Sequence, residues 1–223
     1  MIRYPAPRMF PHRALVVAAF CLAAALALQG RAEAPPAASA AAVIDRFHAA
    51  LLDVMKNAKQ LGVDGRRERL TPVMTETYDF PVMAQRSLGS AWAKLEEAQR
   101  KRFIDVFRGM ILRTYATRFD GYESERFETL GQEASVAGTE IVRSVLHTKL
   151  EEVHLDYRMR STPGGWRVID VYLGGTVSEL ALRRAEYTSV LEREGFDALV
   201  AALERKVAEA PAASPSSSDS RLK

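Results

Sequence analysis

The chain has 223 residues, of which 48% are hydrophobic and 26% are charged, and its formal net charge is +3. This composition is typical of a globular protein and excludes a collagen-like or wholly disordered chain. The length allows one generous domain or two small ones. The single cysteine, Cys21, excludes an internal disulfide and a cysteine-based zinc site.

The N-terminal 34 residues predict a cleaved secretory signal peptide. A segment with three arginines and no acid precedes an uncharged apolar run from Ala14 to Leu28, and the small-residue pattern Ala32-Glu33-Ala34 follows. A basic region, an apolar region and an A-x-A site in this order are typical of a segment removed on export. The apolar run is shorter than the ~20 residues of a membrane-spanning helix.

Charge and composition divide the rest of the chain. The first 34 residues contain four arginines and one glutamate, so 27 basic and 27 acidic residues follow them. No excess of positive charge argues for a nucleic-acid partner. We predict an Ala/Pro linker over residues 35–42, one domain over residues 43–210 and a low-complexity tail over residues 211–223 that we expect to be disordered.

The N-terminal half of the domain has the spacing of amphipathic helices. A first helix begins at Val43 and is ended by Gly62 and Gly65, and Pro72 is expected to kink the second helix or to lie in its first turn. The further predicted helices of this half cover residues 66–77, 81–88 and 96–119. In the longest of them, a large apolar residue recurs at every fourth position.

The period then changes to two, which is typical of strands. Apolar and polar residues alternate from Val153 to Arg160, and with a Pro-Gly-Gly turn they predict a hairpin over residues 151–173. Further strands are predicted at 141–148 and 127–134, and further helices at 180–191 and 196–207. Helices, an antiparallel meander and helices again predict an α+β fold with about four strands.

Residue patterns for catalysis are scarce in the exported part of the chain. Its three histidines, His48, His147 and His154, lack the two-histidine helical pattern of a zinc protease. It has no thiol nucleophile, and its paired glycines fall at strand ends, where turns need them. We therefore predict no catalytic residue, no metal site and no cofactor.

Asp170 lies inside the predicted apolar strand from Val168 to Tyr172. An ionised carboxylate in such a strand is costly unless it is paired or hydrogen-bonded. A structural acid that fastens the strand to an arginine or to backbone N–H groups is the interpretation we favour. The alternative is the catalytic base of a small enzyme with a cone-shaped sheet, of the nuclear-transport-factor-like type.

Two separated blocks of sequence carry a family resemblance. The first block runs from Tyr78 to Trp92 (YDFPVMAQRSLGSAW) and continues with Gln99-Arg100-x-Arg102-Phe103 and Tyr115-Ala116. The second block contains Trp166–Val171, Val177-Ser178, Arg184-x-x-Tyr187-x-x-Val190-Leu191 and residues 194–203. From about Ala42 to Val207, the chain resembles the MlaC family of periplasmic phospholipid-binding proteins, also called toluene-tolerance proteins. The segments 61–66 and 174–179 resemble its hopanoid-associated HpnM branch.

The resemblance implies a periplasmic lipid carrier and no enzyme. Such a carrier holds acyl chains of a phospholipid or hopanoid-type lipid in an apolar pocket between a helical layer and a curved antiparallel sheet. It shuttles the lipid between an inner-membrane ABC transporter with an MCE-domain subunit and an outer-membrane lipoprotein or porin-type complex. A non-enzymatic adaptor of a membrane complex, with a filled core, is a further alternative.

The predicted lipid-binding residues are the bulky apolar side chains on the helix and strand faces that would border this pocket. They are Phe80, Met83, Phe103, Phe107, Met110, Ile111, Tyr115, Val142, Leu146, Val153, Leu155, Tyr157, Val171 and Leu173.

Overall fold

The structure, a computed structural model, describes residues 38–208. The predicted signal peptide and the predicted C-terminal tail lie outside the described residues. Residues 38–208 form six α-helices and a five-stranded antiparallel, open and curved sheet, so the α+β prediction is confirmed. Within residues 38–208, none of the helices combines the length and the apolar composition of a transmembrane span.

Four helices precede the sheet. They are α1 (Ala40–Lys56), α2 (Ala58–Thr77), α3 (Phe80–Leu88) and α4 (Glu97–Arg118), and a 3-10 helix at Gly89–Lys94 joins the last two. Helix α1 begins within the predicted linker because the Ser39 side chain accepts a hydrogen bond from the Ala42 N–H, as an N-cap does. At the start of α4, the Gln99 side chain accepts a hydrogen bond from the Glu96 N–H at 2.9 Å.

The region between the first two predicted helices differs from the expectation. Helix α1 ends at Lys56, and α2 runs from Ala58 past both glycines to Thr77. The backbone departs from helical geometry only at Gly62, which has φ 59° and ψ −178°. Glycine adopts such a positive φ readily, so the chain bends there and continues as a helix. Pro72 lies inside α2.

The strands follow one another in the sheet as they do in the chain. They are β1 (Arg126–Ala134), β2 (Thr139–His147), β3 (Glu152–Thr162), β4 (Gly165–Leu173) and β5 (Val177–Ser178), in the order β1-β2-β3-β4-β5. Strand β5 is a fifth strand beyond the four expected. Two helices complete the chain, α5 (Glu179–Glu194) and α6 (Phe196–Ala208).

The helices cover one face of the sheet and form the core with it. Side chains from all six helices and from the inner face of β2, β3 and β4 share one cluster of buried residues. Asp79 links the helical layer to the sheet, because its carboxylate accepts hydrogen bonds from Arg160 of β3, with Nε at 2.7 Å. Its backbone N–H donates to the Val168 carbonyl of β4 at 2.9 Å.

The outer face of the sheet carries a buried carboxylate, paired with a half-exposed arginine, that the alternation in β3 did not predict. Asp156 falls on the polar face, as expected, yet it is only 2% exposed. Its carboxylate accepts hydrogen bonds from Arg143 Nη1 at 2.5 Å and from the Ser144 N–H at 3.3 Å. The neighbouring His154 is exposed.

Candidate functional site

An apolar cavity lies between the helices and the inner face of the sheet. Its volume is about 80 Å³. Its lining comes from the α2–α3 junction, α3, α4, β3, β4 and α5, and consists of Tyr78, Met83, Ile111, Thr114, Tyr115, Arg118, Phe119, Leu155, Val171, Leu173, Glu179, Leu180 and Arg183. Pockets for drug-sized ligands have volumes of ~300–1,000 Å³. A lipid therefore fits only if the surrounding elements move apart.

Six of the fourteen predicted lipid-binding residues line this cavity. They are Met83, Ile111, Tyr115, Leu155, Val171 and Leu173. The register of the strands explains the contribution of β4, because Tyr157 pairs with Val171 and Leu155 pairs with Leu173. The bulge opposite Arg158 and Met159 keeps Val171 and Leu173 on the inner face and turns Asp170 to the other one.

The other eight predicted residues pack in the core without lining the cavity. They are Phe80, Phe103, Phe107, Met110, Val142, Leu146, Val153 and Tyr157. Phe103, for example, packs behind the cavity against Tyr187 of α5 and Phe196 of α6, with ring centroids 6.0 and 6.5 Å away. Val142 and Leu146 lie opposite Tyr157 and Val153 in the β2–β3 ladder.

Two tyrosines, the buried Tyr78 and the half-buried Tyr115, lie in the wall of the cavity. The Tyr78 and Tyr115 hydroxyls are hydrogen-bonded to each other at 2.6 Å. Burial raises the pKa of Tyr115 to about 12 and the pKa of Tyr78 well above its ordinary value. Both phenols therefore stay neutral at physiological pH, and their mutual hydrogen bond satisfies polar atoms that would otherwise face hydrocarbon.

Behind them, His48 of α1 joins the helical layer to the sheet. Its Nε2 lies 3.0 Å from the Tyr157 hydroxyl, and its ring stacks on Phe127 of β1 with centroids 4.2 Å apart. Burial lowers the pKa of His48 to about 4, against a smaller opposing effect of Asp45. The histidine is therefore a neutral part of the core.

One end of the cavity is polar. We call Thr114 and Arg118 of α4 together with Glu179 and Arg183 of α5 the polar mouth. Sequence reasoning missed all four residues, and it also missed Tyr78, Phe119 and Leu180. The two parts of the polar mouth are about 60 residues apart in the chain, and no local pattern links them.

Asp170 fastens the start of α5 to β4. Its carboxylate accepts hydrogen bonds from Ser178 Oγ at 2.7 Å and from the backbone N–H groups of Val171 and Leu180 at 2.9 and 3.3 Å. Ser178 in turn caps α5 by accepting a hydrogen bond from the Ala181 N–H. These contacts supply the hydrogen bonds that a buried carboxylate requires, which is the structural role favoured above.

We find no candidate metal site among residues 38–208. No group of three or more histidine, aspartate or glutamate residues within residues 38–208 could hold a metal ion. The geometry of the site is that of an enclosed apolar space with a charged rim. It suits the binding of an amphipathic molecule, with its apolar part inside and its polar part at the rim.

A helical layer on one face of an antiparallel meander, with an apolar cavity between them, defines the class of α+β protein to which this chain belongs. The chain belongs to the MlaC family, whose sequence model (MlaC protein) matches residues 45–205. No curated protein sequence matches the chain at a significant level.

A solved structure shares this fold. It is a phospholipid-binding protein from Ralstonia solanacearum, in complex with a phospholipid, and it superposes with a TM-score of 0.69 at 23% sequence identity. The match covers 77% of this chain and 98% of the other.

Proposed function

We propose that this protein is a periplasmic carrier that binds the acyl chains of a phospholipid in the cavity between α4, α5 and the sheet. The observation that carries the proposal is this apolar cavity, in a family member whose structural neighbour holds a phospholipid. The cavity also argues against an adaptor with a filled core. The predicted N-terminal signal peptide supports export to the periplasm.

The energetics of lipid transfer explain why such a carrier is needed. Two acyl chains with about 30 methylene groups cost on the order of 24 kcal/mol to expose to water, at ~0.8 kcal/mol for each methylene. A single lipid therefore leaves a bilayer extremely slowly. A protein that offers equivalent hydrocarbon removes this cost, and near-equal affinity for both environments lets it release the lipid again.

Lipid uptake requires the cavity to widen. We propose that α5 moves away from α4 and the sheet and that the acyl chains then reach the predicted residues packed behind the present lining. Phe107 and Met110 of α4 are the first of these, since they neighbour Ile111 along the helix. In this proposal all fourteen predicted residues contact lipid only in the widened form.

The partners and the precise lipid are further parts of the proposal. The family resemblance supports exchange with an inner-membrane ABC transporter that has an MCE-domain subunit and with an outer-membrane lipoprotein or porin-type complex. The HpnM-like segments 61–66 and 174–179 support a hopanoid-type lipid as the alternative cargo.

Mass spectrometry of lipids extracted from the natively purified protein tests the proposal. We expect a stoichiometric lipid, and we expect the lipid-free protein to transfer phospholipid between vesicles. Ile111→Trp, which places a large ring in the cavity, should block uptake without lowering the melting temperature of the lipid-free protein. Lys101→Trp, on the exposed face of α4, is the matched control. No lipid in repeated preparations, together with no transfer, would overturn the carrier function.

A further inference from the structure

The polar mouth carries more positive than negative charge. Arg118 and Arg183 line it together with a single carboxylate, Glu179. Both guanidinium groups act on the cavity wall, because their charges oppose the burial that raises the pKa of Tyr115 to about 12. A negatively charged ligand group between the two guanidinium groups would therefore best compensate the net positive charge of the polar mouth.

Arg183 uses only part of its hydrogen-bonding capacity in this position. Its side chain is 17% exposed, and its Nε is buried without a hydrogen-bond partner among the described residues. Nη2 lies 3.4 Å from Glu179 Oε2, and Nη1 lies 3.3 Å from the weak acceptor Met110 Sδ. Arg183 also interacts with the Tyr187 hydroxyl, where it opposes the effect of burial on the pKa of that phenol. A guanidinium group has five N–H donors, so part of its capacity stays available to a ligand. Buried polar groups without partners are rare in proteins and call for a ligand or another explanation.

Arg118 supplies a second donor group. It is exposed at the end of α4, and it forms no hydrogen bond or ion pair with any residue in the described range. At the start of α5, Asp170 and Ser178 already accept from the N–H groups of Leu180 and Ala181. The two arginines are therefore the main groups available to an anion.

We propose that Arg183 and Arg118 bind the phosphate of the phospholipid headgroup at the polar mouth. The inference rests on the proposed carrier function and adds the residues that select the headgroup. The planar guanidinium group of Arg183 donates two parallel hydrogen bonds to phosphate oxygens, for which the Glu179 carboxylate competes. The acyl chains then extend inward past Ile111 and Leu155.

A competition between two lipids with identical chains tests this assignment. Dioleoylphosphatidylglycerol and dioleoylglycerol are offered at equal concentration to lipid-free protein, in micelles of an uncharged maltoside detergent, and the bound lipid is quantified by mass spectrometry. We expect the wild type to prefer the phospholipid by about tenfold or more, as hydrogen bonds to charged groups predict.

Single-residue variants test which side chains cause the preference for the phospholipid. Arg183→Gln should reduce the preference by about tenfold while dioleoylglycerol uptake stays measurable, which shows that the variant folds. Glu179→Gln should increase phospholipid uptake, because it removes the competing carboxylate. Arg193→Gln is the matched control, since it removes the same charge from the same helix at a side chain that is 67% exposed and outside the cavity lining.

Each other outcome has a definite meaning. Equal uptake of both lipids by the wild type overturns the headgroup assignment, whereas uptake of neither lipid overturns the carrier function itself. If Arg183→Gln does not fold, the exposed Arg118→Gln decides alone, and an unchanged preference in it rejects the proposal. Inorganic phosphate distinguishes a site for the free anion: if millimolar phosphate abolishes phospholipid uptake, the site is not specific for a headgroup.

Discussion

Helices α4 and α5 line the same cavity but are held very differently. Helix α4 buries seven residues, from Phe103 to Ala116, whereas α5 buries only Leu180 and Tyr187. Burial of apolar surface is the main favourable contribution to folding, so we call α4 the fixed wall and expect α5 to be the wall that moves at the lower cost. In the proposed uptake of lipid, we therefore expect the cavity of about 80 Å³ to widen through α5.

Glycines lie on both sides of α5, and this agrees with the expectation that α5 moves more easily than α4. Gly175, shortly before the helix, and Gly195, directly after it, have φ angles of 73° and 85°. Glycine tolerates such angles without steric cost, and its backbone can rotate on either side of the helix. At its N-terminal end, Asp170 and Ser178 hold α5 to β4, and further along the helix Arg184 donates a hydrogen bond to the Arg86 carbonyl of α3 at 3.0 Å.

The largest expected effect is the loss of an aromatic side chain from the fixed wall. Phe107→Ala, in the middle of α4, should lower the free energy of unfolding by about 3–5 kcal/mol, because it leaves a cavity in a packed core. Val190→Ala, on a half-buried position of α5, should lower it by roughly 1 kcal/mol. Denaturant unfolding of both variants measures the difference. Equal losses would contradict the distinction between the two walls.

Acid should lower the free energy of unfolding through His48 of α1. The folded protein keeps this histidine neutral, with a pKa of about 4, whereas the unfolded chain binds a proton near the ordinary value of 6.5. Stability is therefore fully present above pH 6.5 and falls as the pH decreases toward 4, by up to about 3 kcal/mol. Unfolding measured from pH 7 to 4 checks this, and His48→Gln should flatten that part of the profile.

Weaker hydrogen bonds between Asp170 and the start of α5 should change the rate of lipid exchange more than the stability of the fold. Asp170→Asn replaces charge-assisted hydrogen bonds to Ser178 and Leu180 by neutral ones, so we expect a loss of about 1–2 kcal/mol in unfolding free energy. The rate of phospholipid transfer between vesicles should rise. Asp105→Asn, on the exposed face of α4, should change neither quantity. An unchanged transfer rate in Asp170→Asn would show that α5 does not limit exchange.

The smallest effect concerns local opening in the unmodified protein. Amide hydrogens in the middle of α5 should exchange faster than those of α4, because fewer buried contacts hold the helix closed. Bound phospholipid should slow the exchange in α5 and leave α4 nearly unchanged. Hydrogen exchange followed by mass spectrometry on lipid-free and loaded protein measures both. Identical exchange in the two helices would argue for a rigid cavity.

Local periodicity determines how much of the fold and of the candidate site could be predicted from the sequence. The apolar stripe of α4 and the alternation in β3 follow local periodicity, so the helix, the strand and their inner faces were predictable. Strand β5 was not, because two residues carry no period and Val177 pairs with Leu173 only through the turn between them. Periodicity likewise identifies an apolar face without showing which of its residues border a void. Phe103 and Ile111 share one stripe, yet only Ile111 lines the cavity.

The order of the strands has a consequence for how quickly the domain acquires its structure. Every strand pairs with its predecessor in the chain, so each pairing closes a short loop at a small entropic cost. Local pairings of this kind favour fast folding. Residues 38–208 also contain no cysteine, so no step waits for the formation or rearrangement of a disulfide. We therefore expect the domain to refold at the same rate under oxidising and reducing conditions.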